Sequence, residues 1–375
     1  MKTYNFVACF LLAFSFVACE KSTDEQLEET VIETDIAVDY TVFLKANDNI
    51  NAAVVNTGQD NLVVGEEVAS FGLIPANAIK FKSSSSLGYY YTANCEASLQ
   101  WYNAEEQSSK TIQVFTDDNP CDVNVAAVAY DEIDMFIAYE RDLLGKDKHF
   151  VVRRGSLNNP ENYAEITLNN KPVDVVVSSN KLFVLTLNEF VSNEYHLTII
   201  DLNSNEVLVT LDLGYDALRL FKNNTDQIIV SYPELHTTID PITLDKTYTT
   251  YGEDTAPGFI TTNDFFMDGN GKFYFQKNMQ GANITEVPAT YDFEENSTVV
   301  YLYENFLSDA ELNVKFNIAN TTAIAYDDKN NYILVGYEKN GSGDNGGILR
   351  ITPSPDFEFV DNIDLSGIPQ TIFID

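Results

Sequence analysis

The strongest constraint on this chain is a short β-rich run that returns seven times. Such runs open at residues 75, 124, 172, 215, 259, 321 and 369, so successive starts lie 49, 48, 43, 44, 62 and 48 residues apart. The clearest unit is 172–214. The run from Pro172 to Ser178 (PVDVVVS) and the run from Leu182 to Thr186 (LFVLT) flank a turn at Asn180 and Lys181. The run from His196 to Asp201 (HLTIID) and the run from Val207 to Leu213 (VLVTLDL) flank Asn203, Ser204 and Asn205. Short β-branched runs separated by polar turns read as one four-stranded antiparallel sheet. A sheet repeated at about 45 residues is the signature of a radial array.

The 172–214 unit, with its IDL, turn and VLVTLDLG ending, resembles the blade of YVTN/YncE-like β-propellers. The resemblance is good over these residues and weak elsewhere. It implies an all-β, seven-bladed β-propeller, one blade per opening strand. The chain ends support a ring. Residues 369–374 form an opening strand with no blade after it, whereas 40–44, 52–55 and 62–71 offer later strands with no opener. Pairing the C-terminal strand with this N-terminal blade completes it and removes two exposed edges. A pair of β-sandwiches is the alternative, and it leaves the C-terminal strand unexplained.

The first residues carry an address. Lys2 precedes an apolar run to Val17 that ends Val-Ala-Cys at Cys19. The run is shorter than the ~20 residues that span hydrocarbon, and it reads as a secretory signal. Its end resembles a bacterial lipobox, although Phe16 stands where Leu is usual. That resemblance implies diacylation of Cys19. The following Glu20, Lys21 and acidic stretch to Glu33 resembles the export signal of Bacteroidota-type surface lipoproteins. A solvated acidic tether with no address is the alternative. The organisation expected is a signal peptide over 1–18, a lipidated Cys19 and disordered tether over 19–37, and a propeller over 38–375. The location expected is the outer membrane at the cell surface, with the periplasmic leaflet as the alternative.

Composition limits the partners. Lys and Arg total 22 against 57 Asp and Glu, a formal net charge of −35. Nucleic acid is thereby excluded, because phosphate binding needs a basic footprint, and so is charge-driven binding to anionic lipid. With 24 Phe and 21 Tyr there is ample material for a core, which excludes global disorder.

Candidate site residues are few. Beyond Cys9 and Cys19, the pair Cys95 and Cys121 in an exported chain suggests a disulfide. In the propeller the resemblance implies, both fall in loops of one face. His149, His196 and His236 are far apart in sequence, so no metal or other cofactor is expected. Arg141, Lys146, Lys148, His149, Arg153 and Arg154 crowd one strand–loop–strand unit, and Arg141, Lys146 and Lys148 are candidates for holding an anion. The competing reading is neutralisation by Glu140, Asp142 and Asp147. Tyr89, Tyr91 and Trp101, with Tyr90 and Tyr102, could stack on a sugar or a catecholate ring, or simply fill the space between blades. The long interval 259–321 places extra length near 276–296. Residues 341–347, rich in glycine, read as a flexible loop rather than a phosphate loop. Asp268 to Gly271 resembles part of a calcium loop without its twelfth-position acid, and a hairpin turn explains it equally. Thr255, in Asp-Thr-Ala, matches a Bacteroidota-type O-glycosylation pattern.

The function expected is that of a lipid-anchored propeller that binds a small-molecule or glycan ligand, or docks on an outer-membrane transporter. Its address and look imply an accessory of TonB-dependent uptake. An adhesion or envelope scaffold is one alternative. A propeller glycosidase or lyase is another, but it needs paired carboxylates or a metal, and nothing in the sequence marks either.

Overall fold

The computed structural model describes residues 36–57, 61–131, 133–142, 148–252, 255–259, 264–341 and 343–375. The signal, Cys19, most of the tether and Lys146 lie outside the described residues. Within them, 28 strands form seven four-stranded antiparallel sheets, the blades of a seven-bladed β-propeller. Blade 1 is composite. Its inner strand, Ile368–Ile374, pairs antiparallel with Asp39–Ala46, and Asn49–Thr57 and Leu62–Leu73 complete it. The other six are continuous in sequence. From inner to outer strand, blade 2 comprises Ile79–Lys82, Ser86–Ala93, Glu96–Asn103 and Ser108–Val114. Blade 3 comprises Val123–Tyr130, Asp134–Arg141, His149–Ser156 and Asn159–Leu168. Blade 4 comprises Lys171–Ser178, Lys181–Leu187, Tyr195–Asp201 and Glu206–Gly214. The inner strands of blades 5, 6 and 7 are Arg219–Lys222, Phe265–Met267 and Ile318–Asp327.

Closure of the ring follows from the residues at the seam. The Tyr40 hydroxyl donates to Asp327 Oδ2 at 2.7 Å in a buried site between blades 1 and 7. Asn330 bonds both the N–H and the carbonyl of Ile36, and Lys329 Nζ donates to the Asp375 carbonyl. Packing starts at Val38, which is buried and bonded to Thr57.

The core is divided among the seven blade interfaces. Each apolar cluster draws on two neighbouring blades, as in Phe43, Phe71, Leu87, Tyr89, Tyr102 and Phe373 between blades 1 and 2. Second strands are covered on both faces, so they read as continuous apolar runs: Met135 to Tyr139 are all buried. Outer strands keep one wet face, and Asn159–Leu168 alternates accordingly.

Three expectations change in detail. The inner strands expected to open at 215 and 259 begin at Arg219 and Phe265, because Ala217 and Phe259 are instead buried between blades as anchors of the links. The extra length of the interval 259–321 lies not at 276–296, where two strands are joined by the loop 279–285, but in the link 301–317. This link buries Tyr301, Tyr303, Leu307 and Phe316 against blades 6 and 7. Gly346 and Gly347 are strand residues rather than loop. A side chain at either would collide with Tyr337.

Links between blades and turns between second and third strands share one face, here the link face. The inner strands start at this face. Close to their starts, four of them bulge. Ala126, Val173, Thr322 and Gln370 each stand outside the ladder pairing of their strands. Bulges bend a strand and re-aim its side chains, and these four lie at one level around the channel.

Candidate binding site in the central channel

The level of the bulges is also where the channel is charged. Lys80 and Lys82 enter from blade 2, Asp174 from blade 4, Arg219 from blade 5, and Asp264 from the residue before the inner strand of blade 6. In blade 2 the two lysines alternate with Ile79 and Phe81 along the inner strand.

Two lysines cross the channel to one carboxylate. Lys80 Nζ donates to Asp264 Oδ1 at 2.9 Å and to the Gln370 carbonyl at 2.6 Å. Lys82 Nζ donates to the Phe265 carbonyl at 3.1 Å and lies 3.5 Å from Asp264 Oδ1. Thr371 Oγ1 donates to the same Asp264 oxygen at 3.1 Å, and the Ile324 N–H approaches Oδ2 at 3.5 Å. Blades 1, 2, 6 and 7 are thereby joined through Asp264, which is almost fully buried. Burial alone would raise its carboxyl, but the charges of Lys80 and Lys82 outweigh that and hold it below the ordinary aspartate value. The same burial pulls the Lys82 ammonium down, with Asp264 opposing. The Tyr89 hydroxyl is buried without a partner among the described residues, and its phenol is pushed up by burial and by the charge of Asp264.

On the other side is a cavity of about 250 Å³, lined by Ile79, Lys80, Ala126, Ala127, Val128, Val173, Asp174, Leu218 and Arg219. Two of these residues, Ala126 and Val173, are bulged. Asp174 Oδ1 accepts the Val175 N–H and Oδ2 the Leu220 N–H, both at 2.9 Å. It is ringed by protein, and desolvation raises its carboxyl against the opposing charge of Arg219. The level thus carries three cations against two carboxylates, inside a chain of net charge −35. A second groove, near 470 Å³ and more open, lies between the 301–317 link and blade 7, with Phe306, Phe357 and Phe359 in its walls. Its Glu311 is spent on Ser308, and charges do not converge there as they do in the channel.

The cationic unit of blade 3 is laid out differently. Arg153 is only 3% exposed, stacked between the rings of Phe115 and Tyr163, and bonded to Asp117, Asp118 and Glu165. Arg141 joins the same group through Asp118 and Glu165. Its carboxylates among the described residues come from the preceding link, Asp117 and Asp118, and from the outer strand, Glu165; Asp147 lies outside the described residues. Lys148 belongs to a separate network with Glu140, Glu189 and Lys171. The structure therefore does not bring Arg141 and Lys148 to one shared ligand.

The aromatic candidates separate as well. Tyr89 packs edge-on against Phe71 between blades 1 and 2, and Trp101 packs on Tyr130 between blades 2 and 3. Tyr91 is half-buried, with its hydroxyl accepting from Gln100. Cys95 and Cys121 form a disulfide with Cα atoms 4.9 Å apart, tying the second-to-third-strand turn of blade 2 to the link into blade 3. The Thr255 hydroxyl is held in a turn, accepting the Gly252 N–H at 2.7 Å. Asp268 closes a hairpin turn, its Oδ1 accepting from Asn270 and Lys272 N–H groups.

Sequence reasoning missed the channel residues, although a signal was present: charged residues set into the opening runs, at Lys80, Asp174, Arg219 and Asp264.

No protein-family model matches the chain, and no curated protein matches it in sequence. A solved structure shares its fold. A candidate 6-phosphogluconolactonase from Bacteroides uniformis superposes with a TM-score of 0.53 at 10% identity, covering 90% of this chain and 99% of its own. A protein of unknown function from Bacteroides caccae superposes with a TM-score of 0.41 at 10% identity, covering 78% and 99%. At such identity the likeness is one of fold alone.

Proposed function

We propose that this protein is an exported, lipid-anchored propeller of the outer membrane that binds a small ligand through its central channel, as an accessory to a TonB-dependent uptake system. The observation that supports binding is the cavity at the bulged level, where Lys80, Asp174 and Arg219 converge from three blades. The anchor rests on the Val-Ala-Cys ending at Cys19 and the acidic stretch behind it. A glycosidase or lyase would need carboxylates free to exchange protons. Asp174 and Asp264 instead accept hydrogen bonds from the protein's own donors, which favours binding over catalysis. A scaffold would need exposed loops and no charged cavity.

The anchor is tested by fractionating cells. The wild-type chain should follow the outer membrane and Cys19→Ala should be released, because the polar tether offers no other apolar anchor. Membrane retention of Cys19→Ala contradicts the lipoprotein reading.

A further inference from the structure

We infer that the channel cavity takes a small hydroxylated organic anion, with its charged end toward Lys80 and Arg219 and a hydroxyl toward Asp174; this rests on the ligand-binding reading above. Four observations converge on it. The cavity, at about 250 Å³, falls just below the roughly 300–1,000 Å³ of pockets for drug-sized ligands, so it suits one sugar-sized molecule. The channel level carries Lys80, Lys82 and Arg219 against Asp174 and Asp264, an excess of one positive charge where the rest of the chain is strongly negative. Lys80 spends two of its three donors on Asp264 and Gln370 and is 23% exposed, so the third is available to the cavity it lines. Ala126, exposed at its bulge, and Val173 put small, apolar walls around these charges and leave the space open.

Carboxylate and phosphate share this chemistry, since either accepts paired bonds from an arginine and an ammonium. The experiment is titration calorimetry on the full chain with D-glucuronate, inorganic phosphate and D-glucose. At least one of the two anions should bind, the tighter one naming the charged group, and glucose should not. Arg219→Gln should weaken the anion by about tenfold or more, as expected for loss of a charge-assisted bond. Ala126→Leu should weaken it as much with melting unchanged, because this side chain is exposed. It carries the test if Arg219→Gln unfolds. Glucose binding as tightly as the anions, or no binding by either anion, overturns the inference. So does anion binding indifferent to both variants, although the chain would then remain a binding protein with its site outside the channel.

Discussion

At the scale of single residues, the most informative groups are those whose surroundings oppose their charge. His236 is 1% exposed, boxed by Tyr251, Tyr291 and Phe293, with no partner for Nδ1 among the described residues. Burial lowers its pKa from 6.5 to about 4. Above pH 6.5 it is neutral in both folded and unfolded chains. Between 6.5 and 4 the unfolded chain takes up a proton that the folded chain refuses, so stability falls as pH falls. At 1.36 kcal/mol per unit the full loss is about 3 kcal/mol. Asp117, Glu140 and Glu165 differ. Burial alone would raise their carboxyls, but hydrogen bonds from Arg153, from Asn124 and Lys148, and from Tyr139 and Arg153 hold them low. Their contribution is lost only below the ordinary carboxylate range. Denaturant unfolding of His236→Phe against wild type should therefore show a stability difference that shifts in the variant's favour from pH 7 to pH 5. A difference that stays constant across that range contradicts this account of His236. None of this was legible in the sequence, where His236 appears as an isolated histidine. Its aromatic box is assembled from residues 15 to 57 positions away.

At the scale of elements, the strands and their sevenfold recurrence were legible because each blade repeats the same apolar run and polar turn. The composite first blade was legible for the same reason, as an opener without a blade and a blade without an opener. Less legible were the starts of inner strands. Apolar link anchors such as Ala217 and Phe259 look like strand in sequence but pack between blades. The bulges were also hidden, because one unpaired residue shifts the alternation and reverses which side chains face the channel. Closure makes a sharp prediction. Residues 368–375 supply the inner strand of blade 1, including buried Thr371, Ile372 and Phe373, and also the Gln370 carbonyl and Thr371 hydroxyl that hold Lys80 and Asp264. Removing them leaves two edges unpaired and Asp264 with fewer partners. A chain ending at residue 367 should be insoluble or lose its cooperative melting transition. A soluble truncation with the wild-type transition contradicts closure by this strand.

At the scale of the whole molecule, a ring of seven sheets places the starts of seven inner strands around one channel, where residues nearly 300 positions apart meet. The site was illegible for that reason. Lys80 and Asp264 are 184 residues apart and meet only across the closed ring, whereas Arg141, Lys148, Arg153 and Arg154, conspicuous in sequence, found carboxylates of the protein itself. A chain of net charge −35 keeps its positive excess inside the channel, shielded from the acidic surface. Specific binding there predicts where the molecule tightens. Hydrogen–deuterium exchange of the full chain with and without the anion that binds, D-glucuronate or inorganic phosphate, tests the channel most directly. Added protection is predicted in the inner strands Ile79–Lys82, Val123–Tyr130, Lys171–Ser178 and Arg219–Lys222. Protection confined to 305–311 and 357–359, or no change anywhere, contradicts the channel as the site that binds it.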